Sequence, residues 1–268
     1  MKILCIGAHP DDNEFRCGGL ALKLKAKGHE VQFLSACNGD RGHQTMTLEE
    51  TAARRAGEMA AVAEILGIQY DVWSDVHDCE LIASLEMRRR MIRYIRTANP
   101  DIIITHRGND YHADHRNVAM LVQDAAYLLA VPHECPDVPA MRFMPVIMFN
   151  EDTFAYPPFV PDVAIDVDSV LDQKIELMDK HVSQVYEWLP YTRGEVVTED
   201  PVERLKWLKE VHSPKRKAGF CKTANRHRDL LVKLYGERGN EIQNAEVFQV
   251  SEYGSALSEE LLQELLAL

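Results

Sequence analysis

The sequence predicts an α/β fold: a Rossmann-like, mostly parallel sheet flanked by helices, with a helical C-terminal elaboration. Short, continuous apolar runs of the kind found in strands buried on both faces alternate with amphipathic helical segments. The first two of these runs and the helix between them occupy roughly 35 residues, the length of one βαβ unit. The alternation then continues to about residue 168, beyond which helical patterns dominate.

The first βαβ unit runs from a strand at Lys2–Ala8 to a second strand at Glu30–Ala36. The helix between them is predicted over Gly18–Lys27, and Gly28 follows at the position where glycine commonly ends a helix. Because such crossovers are almost always right-handed, the two strands are expected to lie parallel in one sheet.

The same alternation is repeated along the next part of the chain. Helical periodicity, with Gly67 and Asn99-Pro100 as stop signals, predicts three helices: Leu48–Leu66, Ser84–Ala98 and His115–Ala130. Runs rich in β-branched and apolar residues predict four strands: Tyr70–Trp73, Asp101–His106, Met144–Asn150 and Val163–Val167.

The C-terminal part is predicted to be mainly helical. Its elements are helices at Ser169–Leu189, Pro201–His212, Arg226–Tyr235 and Ser258–Leu266, with a late strand at Glu246–Val250. The leucine stripe of the last helix is expected to dock on the core. We expect a single domain over residues 1–268, with the sheet core at about 1–168 and the helical part at about 169–268.

Composition restricts the possible partners and the compartment. With 30 basic and 42 acidic residues the net charge is −12, which argues against binding nucleic acid or an anionic membrane surface. No apolar stretch is long enough for membrane insertion. The six cysteines are scattered without a C-x-x-C pair, as in reduced cytoplasmic proteins. The basic segment 211–228 is the exception: it is either a solvated helix face, which we favour, or a rim that attracts a substrate phosphate or carboxylate.

Two clusters of ionisable side chains follow predicted strands. His9, Asp11 and Asp12 come directly after the first strand, and His112 and His115 follow the strand that ends at His106. Ligand sites of open parallel sheets form at the carboxyl ends of the strands, so both clusters are expected at one sheet edge. Imidazoles and carboxylates are ligands suited to zinc, and two histidines with one carboxylate leave a position for water.

Each cluster taken alone has a purely structural alternative. Carboxylates at a turn can cap a helix, and a lone His-x-x-His is more often a surface pair. The placement of both clusters immediately after strands favours the metal site over these alternatives.

The two motifs resemble the LmbE-like/PIG-L family of zinc-dependent N-deacetylases. The first is Ala8-His9-Pro10-Asp11-Asp12-x-Glu14 and the second is His112-x-Asp114-His115-Arg116. The resemblance extends in chain order over roughly residues 2–250, through Asn38–Gly42, Arg55-x-x-Glu58, Lys174, His181-x-Ser183-Gln184 and Ala245-Glu246-x-Phe248.

The resemblance implies a deacetylase that acts on an N-acetylglucosamine-type sugar or conjugate and releases acetate and a free amine. The implied cofactor is Zn²⁺, with Fe²⁺ a possible alternative, and the implied ligands are His9, Asp12 and His115. Asp11 is the implied general base, and His112 the implied imidazolium that stabilises the oxyanion, with Asp114 placed to pair with it. The partner is thus a small-molecule substrate, and a homo-oligomer is possible.

Substrate contacts are expected from Arg55 and Asp78, although Arg55 has the alternative of an intrahelical pair with Glu58. A role for Tyr111 at the oxyanion stays open. Two other functions are considered: an amidase acting on another N-acyl or thiol–sugar conjugate, and a non-catalytic nucleotide-binding α/β module. The module is disfavoured because neither a G-x-G-x-x-G nor a G-x-x-x-x-G-K-[ST] motif follows a strand.

Overall fold

The computed structural model describes residues 1–152, 154–212 and 219–268 and contains one seven-stranded mixed sheet. Its strands are β1 (Lys2–Gly7), β2 (Glu30–Ser35), β3 (Gln69–Val72), β4 (Ile102–Thr105), β5 (Val146–Asn150), β6 (Val163–Asp166) and β7 (Ala245–Val250). The α-helices are α1 (Asp12–Ala26), α2 (Leu48–Leu66), α3 (Leu85–Ala98), α4 (Ala113–Ala126), α5 (Leu171–Lys180), α6 (Leu189–Thr192), α7 (Pro201–Val211), α8 (Gly219–Arg226), α9 (Arg228–Tyr235) and α10 (Glu259–Leu266).

The strand order is β3-β2-β1-β4-β5-β7-β6, and β1 to β5 pair in parallel. In the centre, Ile3 of β1 is in register with Val31 of β2 on one side and Ile102 of β4 on the other. The chain first adds β2 and β3 on one side of β1, and it then adds β4 and the later strands on the other side. The strand order therefore reverses between β1 and β4. The carboxyl ends of β1 and β4 therefore flank the crevice where open α/β sheets bind ligands.

Side chains alternate along the central strands and build a core on each face of the sheet. On one face, Ile3 and Cys5 pack with residues of α1, α2, α5 and α10. On the other face, Leu4 and Ile6 pack with residues of α3 and α4. Leu265 of α10 lies in the first of these clusters, as the leucine stripe predicts. Both faces of the sheet are thus covered, which confirms the predicted fold class.

The structure differs from the sequence prediction in two helical regions. Helix α1 begins at Asp12, six residues before the predicted start, because its first turn is built from the polar motif. The single helix predicted over Ser169–Leu189 is interrupted after Lys180, and a π-helical segment, Ser183–Trp188, follows. There the backbone N–H and the hydroxyl of Ser183 donate to Glu58, a long-range pairing that helical periodicity cannot show.

Two further differences concern the C-terminal part. Helix α8 was not predicted, because it has only eight residues. Strand β7 confirms the late strand predicted at Glu246–Val250, but it pairs antiparallel with both β5 and β6, so the sheet extends beyond the core expected at about residues 1–168. Within the described ranges, no helix combines the length and apolar character needed to cross a membrane.

The guanidinium of Arg96 holds the segment that follows α4. It is 5% exposed, and among the described residues it donates to backbone carbonyl oxygens alone: those of Leu128, Leu129, Val131, Glu134, Cys135 and Val138. We expect Arg96→Met to lower the free energy of unfolding by about 3–5 kcal/mol, since the six hydrogen bonds from the guanidinium to these carbonyls are lost.

Denaturant unfolding followed by circular dichroism measures this effect. The matched control is Arg93→Met, one turn earlier on the same helix, because Arg93 pairs with Asp137 on the surface. The control variant should change the free energy of unfolding little, because exposed ion pairs contribute little to stability. Equal losses in the two variants would contradict the role given to Arg96.

Candidate functional site

The two loops predicted to meet do meet at the carboxyl ends of β1 and β4. His9 Nδ1 and His115 Nε2 lie 3.3 Å apart, although 105 residues separate the two side chains along the chain. Both imidazoles are buried, with 7% and 2% of their surface exposed. The topology of the sheet, with β1 beside β4, creates this contact.

The first loop is closed by the carboxylate of Asp12. Its Oδ2 accepts the backbone N–H groups of Ala8 (3.0 Å) and His9 (2.8 Å), so its Oδ1 is left to face His115. Gly7 makes room for this turn, because a Cβ at that position would lie 2.8 Å from the Asp12 Cβ. Asp11 precedes the first residue of α1 without a capping hydrogen bond from its side chain, and it has φ 141°, a strained conformation for a residue with a side chain.

The second loop is organised by Asp110 and His112. His112 caps α4, with its Nδ1 accepting the backbone N–H of Asp114 at 3.2 Å. Asp110 Oδ1 accepts the backbone N–H of His112 and lies 3.0 Å from His115 Nδ1. The loop thus directs the other nitrogen of His115, Nε2, towards the first loop.

The predicted ligands His9, Asp12 and His115, here called the donor set, lie close to one another. Besides the 3.3 Å between the two histidines, His9 Nδ1 lies 3.6 Å from Asp12 Oδ2, and His115 Nε2 lies 3.4 Å from Asp12 Oδ1. Ligands of a tetrahedral zinc ion, each about 2.1 Å from it, are about 3.4 Å from one another. Among the described residues, three overlapping groups have donor atoms close enough together to hold one metal ion: His9–His112–His115, His9–Asp78–His112–Asp114 and Asp12–His106–His115. Each predicted ligand belongs to at least one of these groups, and the predicted set itself stays a prediction.

The remaining nitrogen of each of these histidines faces a carboxylate. His9 Nε2 lies 3.0 Å from Asp78 and 3.1 Å from Asp114, and His115 Nδ1 faces Asp110. This arrangement favours a proton on the outer nitrogen and a lone pair on the inner one, as in histidines that ligate metals. Without a cation, burial acts to lower the pKa of His9, but hydrogen bonds to Asp114, Asp12 and Asp78 raise it well above its ordinary value.

His106 and Asp110 belong to this site but were not assigned a role from the sequence. The His106 ring stacks on His115 with 4.0 Å between centroids, and its Nε2 lies 3.2 Å from Asp12 Oδ2. The same Nε2 accepts the backbone N–H of Ala8, so its lone pair is already engaged. The position of His106 at the end of a predicted strand was the available signal.

Asp11 lies beside the donor set and contacts Arg55. Arg55 Nη2 is 3.1 Å from Asp11 Oδ1, and the guanidinium also donates to the carbonyls of Pro10 and Gly39. The alternative pairing with Glu58 is wrong: Arg54 takes that place, with Nε 3.4 Å from the Glu58 carboxylate. Burial raises the pKa of Asp11 to about 6, and the charge of Arg55 opposes this rise.

Asp114 contacts His9 more closely than His112, which differs from the expected pairing. Its Oδ2 lies 3.1 Å from His9 Nε2 and 3.9 Å from His112 Nδ1, and it also accepts the backbone N–H of Cys79. His112 Nδ1 is already an acceptor, so the proton of that ring belongs on Nε2. Burial, together with His9 and His115, lowers the pKa of His112, which favours a neutral ring over the expected imidazolium.

The site opens into a cavity of about 460 Å³. Near the donor set the cavity is lined by Asp11, Arg55, Asp78 and His112, and by Tyr111, whose ring is 5.4 Å from that of His115. The cavity is also lined by apolar residues, among them Phe15, Trp188, Leu189 and Phe220. All the residues predicted for the site therefore lie at or directly behind one cavity.

The basic segment 211–228 contributes to the outer part of this cavity. Lys222 and Arg226 line it, and Arg226 pairs with Glu151 at 2.6 Å. Arg228 instead donates to the backbone carbonyls of Gly239 and Ile242. Three other basic residues of the segment lie outside the described residues: Lys215, Arg216 and Lys217.

A protein-family model matches the N-terminal part of this chain. Residues 4–126 match the model of PIG-L, described as GlcNAc-PI de-N-acetylase. The matched range includes both loops and the donor set, but it does not include β5 to β7 or the cavity residues of the C-terminal part.

Two characterised relatives have different activities. The chain is 28% identical over 215 residues to diacetylchitobiose deacetylase from Thermococcus kodakarensis, covering 72% of this chain and 75% of that protein. It is 26% identical over 198 residues to 4-oxalmesaconate hydratase from Pseudomonas putida, covering 71% of this chain and 76% of that protein. A deacetylase and a hydratase are therefore both among its relatives.

A solved structure shares the fold over nearly the whole chain. The 4-carboxy-2-hydroxymuconate hydratase GalB from Pseudomonas putida superposes with a TM-score of 0.72 and 22% identity, covering 97% of this chain and 99% of that one. At this identity the likeness concerns the fold alone.

Proposed function

Because residues 4–126 match the PIG-L family model, we propose that the chain belongs to the PIG-L (LmbE-like) family and is a metal-dependent hydrolase that removes the acetyl group from an N-acetylglucosamine-type sugar or conjugate. The products are acetate and a free amine. The observation that carries the proposal is the placement of the Asp11 carboxylate beside the His9–Asp12–His115 donor set, inside a cavity.

Amide hydrolysis needs three things that this site can supply: an activated water, stabilisation of the oxyanion, and a proton for the leaving nitrogen. A divalent cation held by the donor set would activate water and polarise the amide carbonyl. Zn²⁺ is the proposed ion because the donors and their spacing suit it, and Fe²⁺ can occupy the same ligand types.

Asp11 is the proposed general base. Because its pKa is about 6, Asp11 is ionised at neutral pH. This pKa is also close enough to 7 for the carboxylate to accept a proton from the attacking water. Arg55 binds one carboxylate oxygen and so orients Asp11 towards the cavity. Arg55 is thus proposed to act mainly through Asp11, in place of the substrate contact expected from the sequence.

His112 is the proposed donor to the substrate. Because the backbone N–H of Asp114 occupies Nδ1, the ring presents Nε2–H, which can stabilise the developing oxyanion by a hydrogen bond. The proton that Asp11 takes from the attacking water is then proposed to pass to the leaving amine. Asp114 is proposed to orient His9. Asp78 also contacts His9 through one oxygen, Oδ1, and lines the cavity, where it is proposed to accept a substrate hydroxyl.

The hydratase among the relatives supports a second candidate function. The same donor set and base could activate water for addition to a carbon–carbon double bond, a reaction that releases no acetate. The deacetylase is preferred because the family model that matches the site region is that of a de-N-acetylase.

One experiment separates the two functions. Purified protein loaded with Zn²⁺ is incubated with a panel of N-acetylated amino sugars and conjugates, and with unsaturated carboxylic acids. Acetate and primary amine are quantified in the first set, and loss of the alkene absorbance in the second. We expect equal amounts of acetate and amine. Alkene loss without acetate release would establish the hydratase instead.

Arg55 offers a test of the base through the pH profile. In Arg55→Met, loss of the neighbouring positive charge should raise the pKa of Asp11, so less of the carboxylate is ionised at neutral pH. The acid limb of the profile of kcat/KM should therefore move to higher pH, with activity partly regained in alkaline buffer. Arg55→Lys retains the charge and should move the limb less. An unshifted limb in Arg55→Met would contradict the proposed coupling.

A further inference from the structure

Helix α1, which carries Asp12 in its first turn, is broken one turn and a half later. Cys17 has φ −138° and ψ 17°, values outside the helical range. In a continuous helix the N–H of Gly19 would donate to the carbonyl of Phe15, since helical hydrogen bonds join residues four apart. At the break, both of these backbone groups bind side chains from distant parts of the chain.

The partners at the break are the two members of a buried ion pair. Glu246, on β7, accepts the N–H of Gly19 on Oε1 (2.7 Å) and the N–H of Leu20 on Oε2 (2.8 Å). Lys174, on α5, donates from Nζ to the Phe15 carbonyl at 3.0 Å and lies 2.5 Å from Glu246 Oε1. The carboxylate thus caps the second part of the helix, and the ammonium caps the first.

This pair is isolated from solvent and closely fitted. The side chains of Lys174 and Glu246 are 0% and 1% exposed. A Cβ at Gly19 would lie 2.9 Å from the Glu246 carboxylate, so glycine is needed there for the approach. The Lys174 ammonium also lies 3.5 Å from the ring centroid of Phe220, which lines the cavity.

Charges are costly to bury, and an ion pair is seldom more stabilising than apolar side chains of the same volume. A purely structural role is therefore a weak explanation for this pair. The first part of α1 carries Asp12, and its residues Phe15 and Arg16 line the cavity. The orientation of that short segment relative to the rest of α1 depends on the side chains that bind the backbone at the break.

We propose that Lys174 and Glu246 are positioning residues for the metal centre, which act by fixing the break in α1 and thereby the placement of Asp12. The inference rests on the proposed metal site. Neither residue touches substrate or metal in this account; both act through the backbone of α1. Their effect should resemble that of other groups that orient ligands, whose loss typically weakens metal binding or activity about 10- to 100-fold.

The test measures Zn²⁺ affinity of the full chain by competition with a chromophoric chelator, beside kcat and KM. Glu246→Gln leaves Lys174 charged without a carboxylate partner, and we expect its Zn²⁺ affinity to fall about 10- to 100-fold. The second variant, Lys174→Met/Glu246→Leu, removes both charges, so it avoids the unpaired ammonium and should fold. Its Zn²⁺ affinity should nevertheless stay low, because the caps at the break are lost.

Arg96→Met is the matched control, since it loses buried hydrogen bonds on the other side of the sheet. Its stability should fall while its Zn²⁺ affinity remains that of the unmodified protein. Native Zn²⁺ affinity in the folded double variant would overturn the proposal and leave the proposed function intact. If the unmodified protein bound no Zn²⁺ at all, the proposed metal site itself would be wrong.

Discussion

Asp11→Asn is expected to retain bound metal and to lose hydrolysis by about 10²- to 10⁴-fold in kcat, the usual contribution of a general base. Asparagine has nearly the same shape as aspartate, and its side-chain oxygen can still accept a hydrogen bond from Arg55. It cannot accept a proton from water at neutral pH. The variant therefore separates proton transfer from the assembly of the site.

The measurement pairs metal analysis of the purified variant with an acetate-release assay under metal saturation. Metal content equal to that of the unmodified protein shows that the donor set is intact, and the loss of turnover can then be assigned to Asp11. Full activity in this variant would rule out Asp11 as the base. Loss of metal together with activity would instead place Asp11 among the ligands.

His115→Ala is expected to weaken metal binding more than roughly 100-fold, beyond the range typical of residues that only orient ligands. Its Nε2 is the atom that contacts both His9 and Asp12, so its removal leaves two donors out of three. Activity at low metal concentration should disappear accordingly. Chelator competition gives the affinity, and added metal should restore little activity.

The matched control is His106→Phe, because the two rings are stacked and similarly buried. Phenylalanine keeps the stacking and removes the Nε2 that faces Asp12. We expect a smaller loss of affinity, since the His106 nitrogen already accepts the N–H of Ala8. If His106→Phe lost metal as completely as His115→Ala, the donor set would be Asp12, His106 and His115 instead.

The central sheet was predictable because its signals are local. Continuous apolar runs such as that of β1, followed by helices with clear stop signals, are typical of α/β proteins, and helix α2 has the predicted bounds. The break in α1 was not predictable, because it depends on Glu246 and Lys174, which are distant in sequence. Likewise, the sequence periodicity of β7 does not indicate that this strand lies between β5 and β6 or that it is antiparallel to both.

The candidate site was predictable as a set of residues but not as a set of contacts. The rule that ligands bind at the carboxyl ends of parallel strands predicted, from the sequence alone, that His9 and His115 lie close together. The rule does not say which carboxylate faces which imidazole. That choice depends on loop conformation and rotamers, so the contact of Asp114 with His9 and that of Arg55 with Asp11 became visible only in three dimensions.

The most direct test of the account is a titration of the metal-free protein with Zn²⁺, followed by acetate release from an N-acetylglucosamine conjugate. A single donor set predicts no release without metal, a rise in rate up to one equivalent of Zn²⁺ per chain, and equal amounts of acetate and free amine. Acetate release by the metal-free protein, or no release at any Zn²⁺ occupancy from any N-acetylated sugar of the panel, would contradict the account.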